Sequence, residues 1–166
     1  MNKKITLLLI IVTVIFFEFL RDYIFINTNL QIKYISDLQD GFLTYNYTDS
    51  KISLIIHNLS LQQLKIAKWL MTLFFFIIYI ILGILTALNI WGRKKTNSFI
   101  KIYLFGGLLI FFLSLLFYFV SISLKNGNQY DFYLISVELS HFVQSSLYPI
   151  SFLLMFYYYL KINPKY

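Results

Sequence analysis

The sequence predicts an all-α integral membrane protein: four transmembrane helices, both termini cytoplasmic, and one extracytoplasmic loop over 27–64. Three observations predict it. Of 166 residues, 59% are hydrophobic and 20% aromatic, and only 13% are charged, about half the ~25% of a soluble domain. Two runs, Trp69 to Trp91 and Ile102 to Leu124, are each 23 residues long without a charge. The few charges are sorted by side, as described below. A soluble domain of this length cannot bury so much apolar surface. A disordered chain needs low hydropathy, whereas the mean hydropathy here is +0.72. A disulfide scaffold needs cysteine, and there is none.

The predicted spans are about 5–26, 69–91, 102–124 and 132–160, in a single membrane domain over 1–166. At 1.5 Å per residue, each 23-residue run reaches ~34 Å, enough for a ~30 Å hydrocarbon core with some tilt. The first run starts on Lys3-Lys4 and continues past Glu18, Arg21 and Asp22. It has no small-residue cleavage site, so it reads as a retained span. The last run holds Glu138, His141, Gln144 and Pro149. The proline is expected to kink that helix, with Ser145 or Ser146 meeting the freed backbone groups.

Orientation follows from the basic flanks. With both termini inside, the inner side holds Lys3, Lys4, Arg93, Lys94, Lys95, Lys101, Lys161 and Lys165 and no acid. The outer side holds Arg21, Lys33, Lys51, Lys65, Lys68 and Lys125, together with all seven acids. The short loop Gly92–Lys101 is the strongest single cue under the positive-inside rule. The chain is basic, with a net charge of +7. That excess is spread over three short helix flanks, so it reads as membrane anchoring and contact with the lipid bilayer, and no nucleic-acid partner is expected.

The outer loop reads as packing on the helix ends. Within it, Ile52–Leu61 is either an interfacial helix or a strand paired with Phe42–Tyr47. Asn46-Tyr47-Thr48 and Asn58-Leu59-Ser60 match the glycosylation sequon, but chance is the simpler source in an Asn-rich chain. Gly83 with Ala87, Gly107 with Ser114 and Ser121, and Ser136 with Ser140 place small residues on helix stripes. They are expected to let backbones approach within the bundle.

Ionisable groups inside a span are costly and are candidates for function. Glu18, Arg21 and Asp22 share one face at i, i+3 and i+4. Glu138, His141 and Ser145 share another, with Gln144 beside it. By helical rise, Glu18 lies ~10 Å and Glu138 ~9 Å below the outer membrane edge. Together these groups read as a polar cluster open to the outside, with Lys65 and Lys68 at its mouth. Structural ion pairing is the leading reading. A proton or cation site comes second, and acid–base work by Glu138 and His141 third. One histidine with carboxylates is a thin metal site, so no metal and no cofactor is expected. No nucleotide, zinc-protease or nucleophile-elbow motif is present, and the chain is not expected to be an enzyme.

The order FEFLRDYIF at the outer end of the first span, two plain spans, then HFVQSSLYPISFLLMFYYY resembles the small four-span exosortase F-associated-type proteins of flavobacteria. That resemblance implies an accessory role in the inner membrane beside a larger membrane partner. His141 stands where the family pattern has an arginine. A glutamate in the first of four spans is also similar to small multidrug exporters, but the long outer loop and extra charges argue against them.

Overall fold

A computed structural model describes residues 3–124 and 129–163. Lys125 and Lys165, counted above in the charge balance, lie outside the described residues. The described chain is all-helical in class, with five helices, 88% helix and no strand among those residues. They are α1 (Lys3–Gln39), α2 (Ser50–Ile56), α3 (Leu61–Ser123), α4 (Gln129–Val143) and α5 (Leu147–Ile162). Of these, α3 is long and apolar enough to cross a membrane. The chain divides into two compact units, one of residues 1–14 with 75–166 and one of residues 15–74.

Helix α1 corrects the expected outer loop. It runs 37 residues, ~55 Å by helical rise, so residues 27–39 are helix. Nothing between Lys3 and Asp40 is Gly or Pro, so nothing local stops it at 26. The stop is Gly41, at φ 82°, in a left-handed conformation that costs glycine little. Phe42 N donates to Asp37 O at 2.9 Å and Gly41 N to Leu38 O at 3.2 Å, the two bonds of a Schellman C-cap. The remaining loop contains α2, so the hairpin alternative for this segment is not adopted. Asp49 caps α2 by accepting from Lys51 N at 2.8 Å.

Helix α3 starts on a capping box. Ser60 N donates to Gln63 Oε1 at 2.8 Å, and Gln63 N to Ser60 Oγ at 3.3 Å. It then carries both 23-residue apolar runs. The expected loop Gly92–Lys101 is instead one non-helical residue, Gly92 (φ 74°, ψ 177°), between two helical arms. Thr96 Oγ1 donates to Gly92 O at 2.7 Å just beyond this corner.

In the first unit the two arms fold back antiparallel. Trp91 meets Phe99, Tyr103 reaches Tyr79, and Phe76 stacks on Phe111. The tyrosine of the second arm, Tyr103, sits over Gly83 of the first and donates to Tyr79 O at 2.7 Å. Helix α5 repeats the device: Tyr148 sits over Gly107 and donates to Tyr103 O at 2.5 Å. The three rings Phe99, Tyr103 and Tyr148 form a continuous stack, with centroids 4.9 and 4.5 Å apart. Phe156 closes it against Trp91 and Phe99.

Helix α4 packs on the far part of the second arm through a reciprocal serine pair. Ser114 Oγ donates to Ser136 O at 2.8 Å, and Ser136 Oγ donates to Ser114 O at 2.9 Å. Of the small residues named from sequence, Gly83, Gly107, Ser114 and Ser136 serve close helix contacts inside this unit, whereas Ser121 and Ser140 donate within their own helices. Interhelical hydrogen bonds in apolar surroundings average ~0.6 kcal/mol each. Ser114→Ala is accordingly expected to cost about 1 kcal/mol. Ser114→Leu is expected to cost several times that, by forcing the backbones apart. Unfolding midpoints in mild detergent, measured side by side, check the ranking; equal midpoints would contradict this packing.

The expected single helix 132–160 is two helices, broken at Gln144–Ser146. Pro149 falls in the first turn of α5, where a missing N–H is tolerated. As an interior residue it would have left Ser145 O without its usual donor. Tyr148 N supplies that donor at 3.2 Å, and Ser145 Oγ donates to Phe142 O at 3.0 Å. The expected kink is thus a full break.

Candidate functional site

The charged cluster of α1 lies in the second unit. Glu18, Arg21 and Asp22 face one another because one helical turn separates them. Arg21 Nη2 lies 2.7 Å from Glu18 Oε2 and 2.7 Å from Asp22 Oδ1, and Nε donates to the same Asp22 oxygen at 3.1 Å. Side-chain exposure is 17% for Arg21, 24% for Glu18 and 58% for Asp22. One guanidinium is bracketed by two carboxylates, so the cluster carries one surplus negative charge. Arg21 is engaged by both carboxylates within its own helix.

One turn further, α1 presents a polar stripe that the sequence reading missed: Tyr23, Asn27 and Gln31, spaced by four. The chain returning from Gly41 is fastened along it. Gln31 Oε1 accepts from Asn46 Nδ2 at 3.0 Å and from Thr48 Oγ1 at 3.1 Å. Asn27 Oδ1 accepts from Asp49 N at 2.8 Å, and the Tyr23 hydroxyl hydrogen-bonds the Asp49 carboxylate. Asn46 Oδ1 also accepts from Thr48 N at 2.9 Å, an Asx turn. Asn46-Tyr47-Thr48, which reads as a sequon, is therefore a latch, with its amide nitrogen held by Gln31. Asn27 and Gln31 are buried, at 6% and 1% exposure, and polar groups so placed need these partners.

Gln31→Leu should leave Asn46 Nδ2 and Thr48 Oγ1 without their acceptor. Segment 40–49 is then expected to be cut more rapidly by chymotrypsin at Tyr45 and Tyr47, while α3 stays intact. Unchanged cleavage would mean that the latch does not hold the segment. On α3, Lys65 is exposed and Lys68 half-buried. Burial lowers the Lys68 pKa from its ordinary value, because desolvation disfavours the charged ammonium.

In the first unit, Glu138 and His141 are exposed on α4, one turn apart, whereas Gln144 is buried at 1% exposure. Gln144 N still donates to Ser140 O at 3.2 Å, so Gln144 continues the buried side of Ser136 and Ser140 and not the exposed side of Glu138 and His141. The expected grouping of these residues is corrected to a carboxylate–imidazole pair outside and a buried amide at the helix break. Asp131, in the first turn of α4, complements the helix dipole. Among the described residues no group of three or more His, Cys, Asp or Glu is placed to hold a metal ion.

Comparison of the chain with protein families, with curated proteins and with solved structures finds no match.

Proposed function

We propose that the chain crosses a bacterial inner membrane four times, over 5–26, 69–91, 102–124 and 132–160, the last crossing made by two helices broken at 144–146, with both termini cytoplasmic. In this reading it is a non-catalytic accessory or assembly subunit that packs against a larger membrane protein. The observation that carries the membrane reading is the outward face of the second arm of α3. Phe105, Leu109, Phe112, Leu116 and Phe119 are 50% to 71% exposed there. Water would penalise each such ring or chain by ~1.5–3 kcal/mol, and hydrocarbon would not. The interior carries the polar contacts, through the serine pair and the tyrosines.

The partner reading is supported by the latched segment. Phe42, Leu43, Tyr45 and Tyr47 are 66%, 104%, 80% and 75% exposed, on chain held beside α1 beyond the predicted end of the first span. Clustered exposed aromatics outside the bilayer suit a protein contact. The resemblance noted in the sequence points the same way. Gentle detergent extraction should co-purify a stoichiometric membrane partner, lost in Leu43→Glu; a lone monomer would overturn the subunit reading.

A second reading, a small transporter or channel coupled to protons or cations, is favoured by the surplus carboxylate at Glu18, Arg21 and Asp22. Proteoliposome flux that is unchanged by Glu18→Gln and Glu138→Gln would count against it.

The topology has its own test, because the chain holds no cysteine. Leu43→Cys should react with a membrane-impermeant maleimide on intact spheroplasts. Lys94→Cys should react only after permeabilisation. Labelling of both on one side would exclude a crossing between them.

A further inference from the structure

The basic residues that the sequence spreads over three flanks are gathered by the fold at one end of the first unit. Asn89 Nδ2 donates to Lys3 O at 3.1 Å, which brings Lys3 and Lys4 beside the Gly92 corner with its Arg93, Lys94 and Lys95. Phe156 of α5 packs on Trp91 and Phe99, which brings Lys161, five residues on, to the same end. All six of these basic residues are exposed. The acids of this unit are Asp131 and Glu138, both on α4. Ser136, between them, bonds Ser114, which is 21 residues along the arm from Arg93, or ~32 Å by helical rise. Screening acts over ~8–10 Å at physiological salt, so those carboxylates do not offset the basic end. Tyr157, Tyr158 and Tyr159 are exposed in the last turns of α5, next to Lys161. Aromatic rings with adjacent cations mark the headgroup level of a bilayer.

We infer that this end of the first unit is a binding surface for anionic phospholipid headgroups, the recognised group being a phosphodiester whose charge no headgroup cation offsets. The inference rests on the four-span reading and deepens it. It assigns the cytoplasmic leaflet's anionic lipids as partners of a surface assembled from three separate stretches of chain. Exposed lysine and arginine gathered at one end, ~32 Å by helical rise from the serine pair that flanks this unit's carboxylates, suit a lipid headgroup. The tyrosine band beneath them sets the depth at which the phosphates would lie.

The test uses the purified full chain exchanged from mixed phosphatidylcholine–phosphatidylglycerol micelles, with retained lipid read by mass spectrometry. Phosphatidylglycerol should be enriched over phosphatidylcholine. The triple variant Arg93→Gln, Lys94→Gln, Lys95→Gln should lose that enrichment, by about fivefold for each charge removed. Lys161→Gln should give a single such step, which keeps the test open if the triple variant folds poorly by circular dichroism. Arg93→Lys should change little. Displacement of the lipid by inorganic phosphate would reassign the site to a free anion. Displacement by poly-glutamate would reassign it to an acidic protein, and either result overturns the proposal. Equal retention of both lipids by a chain that resists alkaline carbonate extraction would overturn the proposal and leave the membrane reading standing. Extraction by carbonate would remove both.

Discussion

Replacing Gly107 by valine should lower the unfolding midpoint of the chain in mild detergent by about 10 °C. A Cβ at this position would collide with the hydroxyl and ring of Tyr148 and with Phe76. Tyr148 has nowhere to go: it is fully buried, stacked on Tyr103 at 4.5 Å and edge-on to Phe152 at 5.1 Å. The second arm of α3 and α5 must therefore separate. Overpacking of this kind costs ~1–3 kcal/mol, and loss of the Tyr148–Tyr103 carbonyl bond adds about 1 kcal/mol. For a chain of this size each kcal/mol is worth ~2–4 °C. The neighbouring exposed position supplies the control, since Leu109→Val should move the midpoint little. A double-mutant cycle sharpens the result. Tyr148→Phe removes the atom nearest the intruding methyl, so Gly107→Ala with Tyr148→Phe should cost less than the sum of the two single changes. Additive losses would mean that Tyr148 does not occupy the Gly107 notch.

That notch illustrates what a sequence can and cannot disclose about such a fold. Gly83, Gly107, Ser114 and Ser136 are readable as close-approach positions, because small residues on a stripe have few other uses in an apolar helix. Which ring fills each notch is not readable, since it depends on helix pairing and register, and the chain has 18 Phe and 14 Tyr. The end of α1 is the opposite case, where legible signals were outweighed. Gly41 as a C-cap and the Ser60–Gln63 capping box are local stop and start signals. The apolar run itself ends at Ile26, yet hydropathy limits what lies in lipid and not where hydrogen bonding stops. Pro149 is readable as an interruption, but not as a full break between two helices. Tyr23, Asn27 and Gln31 are visible as a stripe at spacing four. Their partners, Asn46, Thr48 and Asp49, are 15 to 26 residues away in sequence, beyond any local pattern. The grouping of Glu18, Arg21 and Asp22 was legible because it is local: one turn of helix determines it.

Arg21 is where the structural and functional readings of that grouping diverge most. Arg21→Met would leave Glu18 and Asp22 facing each other without their shared cation. Breaking a fully buried pair costs ~3–5 kcal/mol, and an exposed one ~0–1 kcal/mol. Side-chain exposures of 17% and 24% for Arg21 and Glu18 place this pair between those limits, at about 2–3 kcal/mol. The variant should therefore accumulate poorly and unfold several degrees lower than the parent. Adding Glu18→Gln and Asp22→Asn to Arg21→Met removes the stranded charges and should restore most of the loss if the cluster is a clamp, because no buried charge is then left uncompensated. Arg21→Lys should fall between, since an ammonium cannot offer the planar fork that meets both carboxylates. A cation-coupling role predicts a different pattern. The triple variant would regain stability but lose all flux, and Glu18→Gln alone would lose flux while unfolding at the parent's midpoint. Recovery of both stability and partner binding in the triple variant would assign the three residues to holding α1 together, and would move the search for function to the latched segment and its exposed Phe42, Leu43, Tyr45 and Tyr47.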